Sequence, residues 1–177
     1  TTTSSTTTTE AAPTTATTTT TEPEGLTDAS TAQRSAPAEG DAVALLRDVR
    51  IGVHDGYERI VFEFTADDQP GYTIEWVAGP VYADGSGRQV DVAGEALLSI
   101  RLEPASGVDL SSATASVIYQ GPDRIAGGSR TDVIDEVVRT GDFEAVLSWV
   151  VGAEGEVPFR VSRLPDPSRL VIDLEAT

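Results

Sequence analysis

Short stretches in which apolar and polar residues alternate run through most of the chain from residue 43 onward. Alternation with a period of two places successive side chains on opposite faces of a β-strand, so that one face can be buried. The pattern therefore predicts strands rather than helices. The clearest inward-facing sets are Ile60, Phe62 and Phe64 in one stretch and Leu170, Ile172 and Leu174 in another.

Turn signals divide these stretches at regular intervals. Asp55-Gly56 is typical of a two-residue hairpin turn, and the Pro-Asp-Pro-Ser sequence at residues 165–168 fixes the start of the last stretch. Short strands spaced about 8–12 residues apart are typical of a β-sandwich. We therefore predict an all-β fold, a β-sandwich of two small sheets. About eight strands are expected, at residues 43–53, 57–64, 72–77, 96–102, 131–140, 143–151, 157–164 and 169–174.

Residues 131–140 fit two interpretations. Their apolar residues have helical spacing, but four of the six residues at 133–138 are β-branched, which favours a strand. We favour the strand, followed by a hairpin turn at residues 140–142. Residues 78–92 are a predicted loop, and so are residues 104–128, a length that usually indicates a functional or mobile connection.

The first 42 residues differ in composition and lack this alternation of apolar and polar positions. Residues 1–21 are almost entirely Thr and Ser, and low-complexity sequence continues more weakly to about residue 41. Such a segment has no apolar face to bury, so we expect residues 1–42 to form a disordered tail or stalk before a folded domain at residues 43–177. A degraded linker is the alternative interpretation.

Composition removes several classes of function. The formal net charge is −17, and all 12 basic residues are Arg. A chain of that charge lacks the basic surface that nucleic acid or anionic lipid requires, so we expect neither partner. The chain has no Cys, which excludes a disulfide framework and a thiol nucleophile. No apolar run of membrane-spanning length occurs.

Catalytic and metal-binding patterns are sparse. The single histidine, His54, follows a strand beside a turn, and no G-x-S-x-G motif accompanies it. One imidazole and no thiol do not make a zinc site, and residues 84–87 fail as a calcium loop. We expect no enzyme activity, no metal and no cofactor. A hydrolase that uses two carboxylates stays open, because the chain has 29 acidic residues.

What remains is a binding surface made of arginines and tyrosines. Aromatic rings stack on sugars, and guanidinium groups bind carboxylates with two hydrogen bonds. Alternatively, Arg59 and Arg169 pair with acids on neighbouring strands. The candidate residues for binding a glycan or a partner are Tyr57, Arg59, Tyr82, Arg88, Tyr119, Arg124, Arg160 and Arg169.

Several of these stretches resemble one family. Residues 55–64 (DGYERIVFEF), followed by residues 70–72 (PGY), are similar to the opening of an AMIN-like domain, a relative of the AMIN domain of cell-wall amidases and some secretins. Residues 141–152 and 158–164 resemble later parts of that domain. Residues 166–174 (DPSRLVIDL) match its typical ending.

The resemblance implies a β-sandwich and a role outside the cytoplasm. AMIN domains attach to peptidoglycan, and AMIN-like versions occur in secreted proteins and lipoproteins of actinobacteria. We therefore expect a non-catalytic envelope module that binds peptidoglycan or another wall glycan; the alternative is a protein-interaction scaffold of the envelope. Membrane contact is expected only through a lipidated cysteine upstream of the sequence given.

Overall fold

A computed structural model describes residues 1, 26–65 and 67–176 of the chain. These residues contain strands and no helix, in agreement with the all-β prediction. No helix that could cross a membrane occurs among them. The fifteen strands are β1 (Arg34–Ala36), β2 (Ala44–His54), β3 (Tyr57–Phe64), β4 (Gly71–Val77), β5 (Val81–Tyr82), β6 (Gln89–Val90), β7 (Ala96–Glu103), β8 (Ala105–Ser106), β9 (Val108–Asp109), β10 (Ser116–Val117), β11 (Arg124–Ala126), β12 (Ile134–Phe143), β13 (Val146–Ala153), β14 (Phe159–Leu164) and β15 (Arg169–Glu175).

The long strands form two sheets. One has six strands in the order β1-β4-β7-β13-β12-β11, and the other has five in the order β14-β15-β3-β2-β8. Neighbours are antiparallel except β2 and β8, which pair in parallel at Ala44 and Leu45. Two small pairs, β5-β6 and β9-β10, lie outside these sheets.

The core lies between the inner faces of the two sheets. Trp149 is fully buried, and Phe62 and Tyr119 each pack edge-on against its ring, with centroids 5.7 and 5.6 Å away. Edge-to-face contacts of this kind suit the charge distribution of aromatic rings. The predicted inward-facing sets of residues 57–64 and 169–174 are all buried in this core.

A buried carboxylate ties the two sheets together at one end. Glu58 lies on the inner side of β3 with 1% of its surface exposed, and it accepts hydrogen bonds from three backbone N–H groups. They belong to Asp132, Val133 (3.1 Å) and Ile134 (2.8 Å), where the chain enters β12. Because a buried charge is tolerated only when it is hydrogen-bonded, these donors also fix the start of β12.

The outer face of the six-stranded sheet is covered by the segment 81–94. Ala93 donates its N–H to Glu136 at 2.6 Å, and Asp84 donates its N–H to the Thr140 carbonyl at 2.9 Å. The Ala93 backbone passes directly over Gly152, where a Cβ would collide with its carbonyl oxygen. This cover explains why Val150, on the outward side of β13, is only 4% exposed.

The described part of the predicted tail is not a free chain. Residues 26–42 include β1, which pairs with β4, and Ser30 forms a β-bridge with Phe159. Arg163 also donates to the Pro37 carbonyl at 2.7 Å. The prediction of disorder up to residue 42 is thus corrected from Leu26 onward, because backbone pairing compensates for the weak apolar pattern. The predicted disorder of residues 2–25 falls outside the described residues.

Other boundaries also differ from the prediction. Residues 131–140 form a strand and not a helix, as favoured, but this strand, β12, runs from Ile134 through Phe143. The hairpin turn therefore lies at Glu144 and Ala145 instead of residues 140–142. Both turn residues have positive φ, 51° and 59°. Such values usually signal glycine, so this turn has no conventional sequence signal. The two predicted loops contain the short strands β5, β6 and β8–β11, which raises the strand count above eight.

We predict that Glu58→Ala lowers the free energy of unfolding by about 3–5 kcal/mol, because three buried N–H groups lose their acceptor. Glu58→Gln keeps the shape and one acceptor oxygen, and we expect it to cost about 1–3 kcal/mol. Urea unfolding measures both. The exposed Glu154→Gln is the control and should change stability by less than about 0.5 kcal/mol. Equal stability of Glu58→Ala and the control would contradict the role assigned to Glu58.

Candidate functional site

The outer face of the five-stranded sheet carries a row of residues at matching positions on four neighbouring strands. Arg160 on β14 lies opposite Asp173 on β15, which lies opposite Arg59 on β3, which lies opposite Gly52 on β2. Since opposite residues of antiparallel strands share a face, these positions form one line across the sheet. We call this line the arginine row.

Asp173 is the centre of the arginine row. Arg59 donates from Nε to its Oδ1 at 2.6 Å and from Nη2 to its Oδ2 at 3.0 Å, the fork that suits a guanidinium and a carboxylate. Arg160 donates from Nη2 to the same Oδ2 at 2.7 Å. Two positive groups thus share one negative group. Within the described residues, Nη1 of both arginines and Nε of Arg160 have no protein partner.

Asp173 is buried although it lies on an outer face. Its side chain is 1% exposed, whereas those of Arg59 and Arg160 are 28% and 32% exposed. Burial by itself raises the pKa of the Asp173 carboxyl, but the hydrogen bonds and charges of the two arginines outweigh it, so the net pKa shift is downward. The same pairing raises the pKa of Arg59. Asp173 is therefore a fixed negative charge that holds both guanidinium groups in place.

Tyr57 supports Arg59 from the end of the sheet. The Arg59 guanidinium lies 5.2 Å from the centroid of the Tyr57 ring, a cation–π contact. His54, directly opposite on β2, stacks on Tyr57 with centroids 4.7 Å apart and planes 12° apart. Because the ring already contacts two side chains, Tyr57 orients Arg59 more than it offers a bare surface to a sugar.

Arg169 lies on the same outer face but not in the arginine row. It is opposite Glu63, four positions along β3 from Arg59, or about 14 Å at the usual rise of a strand. Its guanidinium folds back onto the preceding turn and donates to the carbonyls of Pro167 (3.1 Å) and Pro165 (3.2 Å). Arg50, between the two positions on β2, binds Asp48 and Glu63.

Three predicted site residues lie on the opposite side of the molecule. Tyr82 and Arg88 belong to the β5–β6 hairpin and are exposed. Arg124, on β11, forms an ion pair with Glu136 and donates to the Asp91 carbonyl at 2.8 Å. Arg124 thus holds the covering segment on the six-stranded sheet, Tyr82 and Arg88 belong to that segment, and none of the three joins the arginine row.

The expectation that Tyr119 is an exposed loop residue is wrong. Tyr119 is 3% exposed, packs on Trp149 and donates its hydroxyl to the Pro122 carbonyl at 2.8 Å. Burial raises the pKa of its hydroxyl, and Arg139 above its ring partly opposes this. The run Val117-Ile118-Tyr119 is too short to predict a core strand within a mostly small and polar stretch, so only its tertiary contacts place Tyr119 in the core.

Sequence reasoning missed two members of the arginine row. The alternation of β15 puts Asp173 on the same face as Arg169, but it does not show that two arginines from other strands converge on it. Gly52 gives no chemical signal, yet its lack of a side chain leaves open surface beside Arg59. Within the described part of the chain, a Cβ at this position would meet only His54, at 3.5 Å.

A second feature is a cavity of about 750 Å³ at the other end of β2. Four carboxylates line it, from Asp68, Asp109, Asp142 and Glu144. Asp142 accepts from the Ser106 hydroxyl and the Gly107 N–H, both at 2.8 Å. The Ser111 N–H lowers the pKa of Asp109. A glycosidase needs one carboxyl kept protonated, so these contacts do not favour the two-carboxylate hydrolase.

The comparisons with known proteins agree with this architecture. The family model described as AMIN-like domain matches residues 44–176, from the first residue of β2 to the residue after β15. The chain belongs to the AMIN-like domain family. No curated protein and no solved structure matched the chain.

The AMIN-like region contains the whole arginine row and most of the cavity lining, whereas β1 and the lining residues Ala42 and Val43 lie just before it. AMIN-like domains are generally extracytoplasmic, non-catalytic binding modules associated with the cell wall. The chemistry available at the arginine row agrees with binding, because it offers guanidinium donors to an anion. No group of three or more potential metal ligands occurs within residues 26–65 and 67–176.

We predict that Asp173 contributes stability that disappears in acid. Its folded pKa lies below its unfolded value near 3.9, so the contribution is complete above that value and is lost as pH falls through the folded pKa. Asp173→Asn should be less stable at neutral pH by ~3 kcal/mol, since two guanidinium groups lose their charged partner.

The measurement is urea unfolding between about pH 7 and about pH 3. The gap between the wild-type chain and Asp173→Asn should narrow towards the acid end. Asp91→Asn, which removes an exposed carboxylate, should follow the wild-type curve. A constant gap for Asp173→Asn over the whole range would show that Asp173 is not coupled to protons in this way.

Proposed function

We propose that the chain is a non-catalytic cell-envelope module that attaches to peptidoglycan or another wall glycan through the arginine row. The observation that carries the proposal is the excess of guanidinium over carboxylate at Asp173. Arg59 and Arg160 are held rigidly by one buried acid, and each keeps a nitrogen without a protein partner in the described structure. Pre-organised donors bind an anion without the entropic cost of ordering long side chains.

The charge distribution supports an anionic ligand on this face. Although the chain carries a net charge of −17, this face has as many arginines as carboxylates. A polymer that bears carboxylates, as the peptides of peptidoglycan do, is repelled elsewhere and meets its least negative surroundings here. The residues are the arginines Arg50, Arg59, Arg160 and Arg169 and the acids Asp48, Glu63, Asp173 and Glu175.

The shape of the face favours an extended ligand. The arginine row spans four strands, which are about 4.8 Å apart, and Arg169 lies about 14 Å away along the strand direction. Small molecules usually bind in concave pockets, whereas a sheet face can follow a polymer over several units. We infer that Arg59 and Arg160 bind carboxylates of the ligand and that the open surface at Gly52 admits the neighbouring unit.

A protein-interaction scaffold is the second candidate. Beyond Leu45, the outer edge of β2 has no partner strand among the described residues, so it could accept a strand from another protein. The charged Arg47, Asp48 and Arg50 near this edge are typical of strands protected against such pairing. For this reason we rank glycan binding first.

Binding can be tested by co-sedimentation with purified insoluble peptidoglycan. We predict that the full chain is retained and that Gly52→Glu lowers its affinity by about tenfold, because the new carboxylate repels the ligand beside Arg59 without removing an existing contact. Gly155→Glu is the matched control. It adds the same charge on a turn between β13 and β14, where an added Cβ would lie more than 4 Å from every described atom beyond its chain neighbours, and it should bind like the wild-type chain.

A second pair of variants tests the guanidinium directly. Arg160→Gln should lower the affinity by about tenfold, whereas Arg101→Gln, which removes an exposed arginine of the other sheet, should not. Urea unfolding shows whether each variant is folded. Retention no better than that of an inert acidic protein would refute glycan binding. A dominant protein adduct in cross-linked cells that survives glycan digestion would instead favour the scaffold.

A further inference from the structure

We propose that the cavity between the start of β2 and the β8–β9 segment is a docking groove for an extended segment of a partner protein that carries apolar side chains next to lysine or arginine. We call this cavity the acid-rimmed groove. No contact of the arginine row is involved. The groove adjoins Ala44, where β2 begins, whereas the row crosses β2 at Gly52, near its other end.

The floor of the groove is apolar. Its lining includes Val43, Leu45, Val108 and Leu110. Val43 is 42% exposed and Leu110 is 72% exposed, so both side chains have apolar surface in contact with solvent. A volume of about 750 Å³ is within the range of pockets that enclose ligands, and it suits a few residues of a peptide more than a whole protein surface.

Exposed apolar residues are concentrated around this groove. Seven large apolar side chains are exposed among the described residues, and three of them lie here. Val43 and Leu110 line the groove, and Val117 is the pairing partner of Val108, another lining residue. Scattered exposed apolar residues need no explanation, but a cluster at one end of a sandwich is typical of a binding surface.

The charges of the rim decide what kind of segment fits. Among the residues that the structure describes, four carboxylates line the groove and no arginine or histidine does. Asp109 is fixed by the Ser111 N–H, and Asp142 is fixed by Ser106 and Gly107, so these two are pre-organised acceptors. An apolar floor between fixed negative charges is complementary to an apolar segment with cationic neighbours.

Other occupants meet electrostatic opposition. A second copy of the chain brings a net charge of −17 to a negative rim. The N-terminal residues 2–25 contain Glu10, Glu22 and Glu24 but no arginine, so they offer no complementary charge. A cationic segment of a partner is the occupant whose chemistry matches both the floor and the rim.

The test uses the full chain and three capped, fluorescent peptides of about eight residues, a length that spans such a groove. In the first peptide Leu and Lys alternate, in the second Glu replaces Lys, and in the third Ser replaces Leu. Fluorescence anisotropy gives the affinity at about 20 and about 200 mM salt, because surface attraction weakens strongly over that range. We expect the first peptide to bind at least about tenfold more tightly than either of the others.

Variants then locate the binding. Val43→Ser combined with Leu110→Ser should weaken the first peptide about tenfold, since both residues are exposed and contribute floor area. Val53→Ser, an exposed valine at the other end of β2, is its control. Glu144→Gln should weaken binding about threefold and reduce the salt dependence. Glu154→Gln changes the net charge equally away from the groove and should have no effect.

Three results would overturn the proposal. If the Lys/Ser peptide binds as tightly as the Lys/Leu peptide, the attraction is due to net charge and not to the groove. If the groove variants and their controls weaken binding equally, the peptide binds elsewhere. If the wild-type chain dimerises at the concentrations used and Leu110→Ser is monomeric, a second copy covers the groove. Retention on peptidoglycan is measured separately, so a negative result for peptide binding does not affect the proposal that the arginine row binds glycan.

Discussion

Strand β3 is the element on which the rest of the structure depends, because its two faces perform different tasks at neighbouring positions. Glu58 points into the sandwich and binds three N–H groups at the start of β12, which fixes one sheet relative to the other. The next residue, Arg59, points outward and binds Asp173 of β15. A shift of β3 by one residue would exchange these two side chains, leaving a carboxylate without donors and burying a guanidinium. The candidate site and the packing of the sheets therefore depend on the same strand register.

The two sheets differ in what lies on their outer faces, and this difference locates the candidate site. Segment 81–94 covers the outer face of the six-stranded sheet, so Val150 is buried although its side chain points outward. On the five-stranded sheet the side chains of Arg59 and Arg160 themselves cover Asp173. Long side chains shield such surface while keeping their charged ends in water. The outer face of the six-stranded sheet is thus covered by a backbone segment, whereas that of the five-stranded sheet is covered by arginine side chains that a ligand can reach.

The sequence predicts the strands whose inward residues alternate strictly, such as β3 and β15, because burial of one face imposes that pattern. It does not predict the turn at Glu144 and Ala145, since their positive φ angles are maintained by the surrounding hairpin and not by glycine. Tyr119 was misplaced because the three apolar residues Val117, Ile118 and Tyr119 stand alone in a long stretch of mostly small and polar residues, although its ring packs on Trp149. The convergence of Arg59 and Arg160 on Asp173 depends on which strands are adjacent, and adjacency between distant segments is not encoded in any single stretch.

Strand β1 has a consequence for how the domain is delimited. It lies outside the region shared with the AMIN-like family, yet it forms the edge of the six-stranded sheet. Its backbone pairs with that of β4 from Tyr72 to Ile74. A chain cut at residue 44 would expose that edge, with free N–H and C=O groups on a strand that includes Tyr72, Ile74 and Trp76. Exposed edges of this composition pair with one another and lead to aggregation. By covering the edge of β4, the residues just before the shared domain therefore protect the chain against self-association.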